Sequence, residues 1–379
     1  MDAATDDATD DATDATRNAV TVRAPGKLIL MGEHAVVYER PALVTALGLW
    51  LDATVRPHAA EGVHLNLHAL DHQEATSWAA VRAYSAAVRE RWEAYAANPT
   101  AVAYARMRGE DPAHLVKVAL GEAARHLSDT LPVQVSVRSE QPIGAGFGSS
   151  AAVGVAVAQA CFAAHDTRLS DETLYNVALA IERRQHGLPS GVDPATVLRG
   201  GVVWAERNGD GLAWHGVETN REALAPFRIF DTGTPREPTG TVVDAVRHRR
   251  AEAPAAFEAL LDRMADRTRA LRRALAAPDA PPNPDTVRYL IHDFEASLEA
   301  MGVVPAPVQA LIRAIENKGG AAKISGAGAL TGSSAGSLLV YHPDPPAALW
   351  DVLHDLPEIN VPLGVAGAHE RPPHDESYR

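Results

Sequence analysis

The segment Pro142-Ile-Gly-Ala-Gly-Phe-Gly-Ser-Ser-Ala-Ala152 sets glycine at three alternate positions, Gly144, Gly146 and Gly148, with Ala145 in between, and follows them at once with Ser149 and Ser150. Upstream, residues 133–138 alternate apolar and polar side chains as a half-buried strand does; downstream, an Ala- and Val-rich helix runs from about Ser150 to His165. A glycine-rich turn from strand to helix lets the backbone approach a bulky anion. The helix N-terminus behind it offers unpaired N–H groups and about half a positive charge, which suits phosphate. Neither common nucleotide signature fits: no Gly-Lys-Ser/Thr is present, and Ser149 stands where the dinucleotide fingerprint needs glycine. The same letters also describe a tight turn capped by Ser149 or Ser150, so the segment alone leaves both readings open.

Outward from this turn, strands and helices mix without strict alternation, which predicts an α+β fold and not a doubly wound sheet. Strands are expected at 19–24 and 27–31 around a Pro25-Gly26 turn, and at 41–51, 63–67, 200–204, 227–231, 321–325 and 337–341. Helical pattern fills 74–127 with breaks at Asn98-Pro99 and Asp111-Pro112. It returns from Ser170, an N-cap, to Gly187, then over 242–275 with a break at Pro254, and over 284–301, 307–317 and 347–356. At about 150 residues per domain, the 379 residues suggest two or three domains. The expected division is a disordered acidic tail at 1–18, an N-terminal domain at 19–222 and a C-terminal domain at 223–379.

Composition removes several function classes. Hydrophobic residues are 46% and charged residues 22% of the chain, an ordinary globular mixture. No window approaches the roughly 18 apolar residues of a membrane span. The net charge of -13 argues against a nucleic-acid partner, whose phosphates call for a basic excess. The dense basic cluster Arg247-His248-Arg249-Arg250 reads as a solvated helix face. A single cysteine, Cys161, lies in an apolar helical run, which points to packing and excludes an intrachain disulfide. The acidic N-terminus lacks the order of a secretory signal, so a cytoplasmic protein is expected.

Four other places carry residue types suited to chemistry. Ser190-Gly-Val-Asp193 follows Glu182 across Gly187 and Pro189, and the two carboxylates could converge, one on a metal and one as a base. A turn-forming Asp193 and a solvated Glu182 are the plain alternatives. Lys27, in Ala24-Pro-Gly-Lys27, precedes Gly32-Glu33-His34, a set that could grasp a small anionic or hydroxylated molecule or merely edge a strand. Lys323-Ile-Ser-Gly326-Ala-Gly328 is a second glycine loop that could face the same phosphate or only turn the chain. Gly332-Ser-Ser334-Ala-Gly336 matches a nucleophile elbow literally, but a strand-like run follows it where that motif requires a helix.

In this order the segments resemble the GHMP kinase superfamily of small-molecule kinases, and within it the mevalonate kinases. The resemblance spans about residues 20–341. It is carried by Ala24-Pro-Gly-Lys-Leu-Ile-Leu-Met-Gly-Glu-His-Ala-Val-Val-Tyr38, by 142–152, by Ser190-Gly-Val-Asp193 with Glu182, and by the Gly326 loop. That loop is longer and less glycine-rich than the family's. The resemblance implies a two-domain fold with the active site in the interdomain cleft, and ATP- and Mg²⁺-dependent phosphorylation of the primary hydroxyl of mevalonate. It implies Asp193 as base and Lys27 as its electrostatic partner. It further implies the 144–150 backbone (Gly144, Ala145, Gly146, Gly148, Ser149, Ser150) with Gly326 and Gly328 on the triphosphate, and Ser150 and Glu182 on the metal. Glu33, His34 and Thr232 then face the substrate beside Lys27 and Asp193. A homodimer is implied as well. A sibling kinase acting on phosphomevalonate, a sugar or an amino alcohol would share the ATP apparatus but lack the Glu33-His34 context, and a non-catalytic ATP-binding protein would have lost Lys27, Glu182 or Asp193.

Overall fold

The computed structural model describes residues 19–142, 145–209, 211–276, 281–344 and 346–372; the 1–18 tail and Gly144 lie outside them. The first lobe is built on a mixed sheet. Strand β1 (Val20–Met31) pairs with the long β2 (Ala42–Pro57), whose far half pairs with β5 (Val133–Ser139). Beyond β5 lie β3 (Val63–Leu67), parallel to it, and β4 (His72–Thr76). The near half of β2 carries instead the hairpin β6 (Val202–Asn208) and β7 (Gly211–Val217).

One face of this sheet is covered by α1 (Trp78–Ala97), α3 (His114–Ala123), α4 (Ser149–Ala164), α5 (Asp171–His186) and α6 (Val192–Arg199); α2 (Ala101–Arg108) packs on α1 and α5. Helix α4 is apolar on every side and is buried between β1, β2, α3 and α5, as its composition requires. Cys161 lies within it, fully buried, and burial pushes its thiol up to about 12.

The second lobe is a three-stranded antiparallel sheet, β8 (Phe227–Asp231), β10 (Ser337–Tyr341) and β9 (Ala321–Ser325), in that order. Helices α8 (Thr239–Glu252), α9 (Pro254–Leu275), α10 (Pro284–Met301) and α11 (Ala306–Asn317) accompany it. One hydrophobic core joins the lobes: Leu28, Leu30, Leu43 and Leu47 from the first sheet meet Phe227, Leu261, Phe294 and Leu339 of the second lobe. The expected basic cluster sits on α8 and is occupied internally: Arg249 donates to Met301 O at 2.8 Å, Arg250 pairs with Glu258, and Arg247 pairs with Asp244.

The chain then returns. After short helices α7 (Arg221–Leu224) and α12 (Trp350–Leu353), residues 358–371 run from the second sheet back across the first. Ile359 N donates to Ile229 O (2.8 Å), Gly364 N to Ala46 O (2.9 Å), Gly201 N to Val365 O (2.7 Å) and Ala368 N to Val197 O (2.8 Å). The segment ends as β11 (His369–Glu370) beside β1.

Four expectations are corrected, and one plain alternative is set aside. Pro25-Gly26 is not a turn: β1 is continuous, and a register shift between Pro25 and Gly26 absorbs the missing N–H as a bulge. Glu74 belongs to β4, and the helical pattern begins only after Ser77, whose side chain caps α1. Asp193 is not in a turn but in the first turn of α6, where its charge suits the helix dipole. The strand expected at 200–204 starts at Val202 and extends to Asn208. The helix expected over 347–356 is a 3-10 turn (Pro346–Leu349) followed by four α residues.

Candidate active site

The irregularity at Pro25/Gly26, where Leu49 and Gly48 of β2 are left unpaired, sets where Lys27 points. Gly26 brings the strand so close to the glycine-rich turn that a Cβ there would lie 3.2 Å from Phe147 O, and Lys27 N donates to that same carbonyl at 2.8 Å. The Lys27 side chain runs beneath Gly148, which has φ +77° and whose added Cβ would lie 2.6 Å from Lys27 Cγ. Only glycine fits there. The lysine ends 3.1 Å (Nζ to Oδ2) from Asp193, at the N-terminus of α6, with the ammonium side chain nearly buried and the carboxylate partly open.

Two helices bring the next pair together. Gly154 of α4 lets Ile181 of α5 approach, so that a Cβ at Gly154 would meet Ile181 Cγ2 at 3.0 Å. About one turn earlier on α4, Ser150 Oγ lies 3.3 Å from Glu182 Oε2 and 2.9 Å from His186 Nε2. Burial, with Asp193 adding its negative charge, pushes the Glu182 carboxyl up to about 8; Lys27 and the Ser150 hydroxyl oppose it. A carboxylate held this far from water favours a cation beside it.

Ser150 and Glu182 supply hard oxygen donors, and no group of three or more His, Cys, Asp or Glu that could cage a metal exists among the described residues. That donor set fits Mg²⁺, which commonly keeps water and takes one or two protein oxygens plus substrate phosphates.

The second glycine loop closes the other side. His34 Nε2–H donates to Ala327 O at 3.0 Å, and Ser337 Oγ donates to Ala145 O at 3.3 Å. Gly326 (φ +110°) faces open space, as does Gly146 (φ +83°) in the first loop. Gly328 differs: a Cβ there would collide with Val303 O, so packing explains that glycine. Thr232 Oγ1 donates to Gly336 O (2.7 Å) and accepts from Ala335 N (2.8 Å), beside the Ser337 contact. His34 is held at φ 57°, uncommon for a residue with a side chain, and burial pushes its imidazole down to about 4. Glu33 is buried and paired with Lys323.

The structure thus brings Lys27, Asp193, Ser150 and Glu182 into one charged cluster, with the second glycine loop tied to His34 and Ala145; Glu33 points into the protein, Gly328 packs on Val303, and Thr232 is engaged with the 335–336 loop. His186 and Lys323 were not singled out from sequence, since their partners are distant and no local spacing marks them. The elbow-like Gly332–Gly336 stretch leads directly into β10, so it has no helix behind its serine.

Comparison with known proteins gives the family of the chain. The model for the GHMP kinases N terminal domain matches residues 114–201. Mevalonate kinase of Aeropyrum pernix is 31% identical over 318 residues, covering 82% of this chain and 86% of that one. Mevalonate kinase of Bos taurus is 30% identical over 335 residues, covering 81% and 83%. The crystal structure of the Methanococcus jannaschii mevalonate kinase superposes with a TM-score of 0.69 at 18% identity, over 92% of this chain and 99% of that one, a likeness of fold.

Proposed function

The chain belongs to the mevalonate kinase family of GHMP kinases, and from that membership we propose how its residues carry ATP-dependent phosphorylation of mevalonate to 5-phosphomevalonate. The observation that carries the assignment of roles is the Lys27–Asp193 contact at the foot of the glycine-rich turn.

Asp193 accepts the proton of the primary hydroxyl as its oxygen bonds to the γ-phosphorus. The bond from that phosphorus to the β,γ-bridging oxygen breaks, and ADP leaves. Lys27 offsets the negative charge shared by the hydroxyl oxygen and Asp193, which lowers the barrier to this step. Backbone N–H groups over 144–150, from Gly144 through Ala145, Gly146 and Gly148 to Ser149 and Ser150, hold the triphosphate at the start of α4. Gly326 flanks it from the second lobe, while Gly328 sets the loop by packing on Val303. Ser150 and Glu182 hold Mg²⁺, which when bound neutralises charge on the phosphate oxygens. His34 borders the acceptor, with Glu33 behind it, and Thr232 bears on it only through the 335–336 loop that it holds.

We place the division of the chain between residues 222 and 223, within α7, with the 358–371 segment crossing back over it. No helix of the described residues is long and apolar enough to cross a membrane. A homodimer follows from the family resemblance, and a monomer mass by light scattering would remove it.

The test is ADP release from ATP and Mg²⁺ with mevalonate, phosphomevalonate, galactose and homoserine supplied separately. Release with mevalonate alone is expected. Release with another acceptor keeps the phosphate machinery and overturns the acceptor assignment.

A further inference from the structure

Behind the cleft lies a set of charged groups that the phosphoryl transfer does not use directly. Lys323, in the middle of β9, has a fully buried side chain. Its Nζ pairs with Glu33 and donates to Ile324 O at 2.8 Å and Ile29 O at 3.5 Å. Glu295 of α10 is also fully buried, and its Oε2 accepts from Ile324 N at 3.1 Å. One oxygen of each carboxylate, Glu33 Oε2 and Glu295 Oε1, is buried without a hydrogen-bond partner. Burial raises both carboxyl pKa values, and Lys323 opposes the rise at each.

The cluster sits where two otherwise separate pieces of backbone must keep register. β1 and β9 belong to different sheets, yet Ile29 O accepts from both Lys323 and Ser325 Oγ, the latter at 3.0 Å. Immediately beyond, His34 bonds Ala327 O. Residues 29–34 and 323–327 are therefore tied side by side at successive points. The first run ends in the acceptor-side turn and the second in the glycine loop.

We propose that Lys323 is a positioning residue which, through Glu33 and Glu295, holds the 32–34 turn against the 326–328 loop, so that Glu33 acts by this contact and not by touching the acceptor. The inference rests on the division of roles proposed above. Its energetic logic is that of a buried ion pair: removing one partner strands a charge, whereas removing both does not. Its catalytic logic is that a displacement of about 1 Å between acceptor and donor costs about 100-fold in rate.

The experiment compares E33Q, K323M and the double variant E33Q/K323M, with the folded fraction of each measured by thermal unfolding. The expected result is a fall in kcat of about 10- to 100-fold in each, KM for mevalonate within about threefold of the wild type, and a double variant no worse than the poorer single one. Additive losses, or a loss in E33Q confined to KM for mevalonate, would mean that Glu33 meets the acceptor itself and would overturn the proposal. Full kcat in folded K323M would overturn it as well. If K323M does not fold, the triple variant E33Q/E295Q/K323M, which leaves none of the three buried charges, carries the comparison.

ADP binding by calorimetry supplies a readout independent of the acceptor. At least a fivefold weakening in the folded double variant is expected, and unchanged affinity is contrary to the proposal. A wild-type chain that binds ADP but turns over no mevalonate overturns the acceptor assignment alone, and the ADP comparison still decides the positioning role.

Discussion

Asp193 and Lys27 are separated by most of the first lobe in sequence, yet meet at 3.1 Å. Replacing Asp193 with Asn keeps the shape and removes the proton acceptor. Turnover of Asp193→Asn is expected to fall at least about 100-fold, the usual scale of a general base, with ATP affinity within about threefold; retained turnover would move the base elsewhere. His34 gives a second prediction, in stability. Burial lowers its pKa from 6.5 to about 4, so between these values the unfolded chain holds more protons than the folded one. Stability is therefore present above pH 6.5 and lost as pH falls toward 4, by on the order of 3 kcal/mol from this group. Urea unfolding at pH 7 and pH 4.5 should show His34→Gln losing less stability on acidification than the wild type. An equal loss in both proteins refutes the assignment.

At the level of elements, the two glycines of the first loop do different work and should fail differently. Gly148 is closed in by Lys27, whereas Gly146 faces open space, although both have positive φ. Gly148→Ala must displace the lysine, and kcat is expected to drop about 10- to 100-fold. Gly146→Ala should act chiefly on KM for ATP, by placing a methyl group where the phosphate approaches. Steady-state kinetics in both substrates separate the two patterns, and matching profiles would refute the distinction.

The elements that were legible from sequence are those with unambiguous period and punctuation. Residues 63–67, 227–231, 284–301, 321–325 and 337–341 form the expected elements at the expected bounds. Pro25-Gly26 misled because a bulge and a turn share the same letters, and only pairing with β2 tells them apart. β7 was missed because Gly211–Val217 carries glycine at Gly211 and Gly216, which weakens a strand pattern, and hairpin pairing with β6 sustains it. Of the candidate site, Lys27, Ser150 and Asp193 were legible through motifs in their family order and Glu182 through its spacing from Asp193, whereas each segment alone left a plain reading open. His186 and Lys323 were not, because contacts between distant segments give them their place.

On the scale of the whole molecule, the 358–371 segment fastens one lobe to the other. It bonds β8 at Ile229, the first sheet at Ala46 and Gly201, and the α6 strand-side backbone at Val197. Its passage beside Gly200 leaves room for no side chain there, since a Cβ on Gly200 would collide with the backbone of Gly367. A chain ending at Pro357 should lose on the order of 10 °C in melting temperature. Amide hydrogen exchange in β1 should also accelerate, because its outer neighbour is gone. Unchanged protection in β1 would mean that the segment merely rests on a sheet already complete.

That fastening also sets an order of events during synthesis. Val22 of β1 pairs with Glu370 of β11, near opposite ends of the chain. At about 5–20 residues per second, β1 leaves the ribosome roughly 20 to 70 s before its outer partner exists. Through that interval the growing chain carries an unpaired strand edge, the kind of edge that recruits other chains. Slow translation of the second lobe, or crowding of many nascent copies on one message, should therefore reduce the soluble yield of this protein without altering the activity of the molecules that escape.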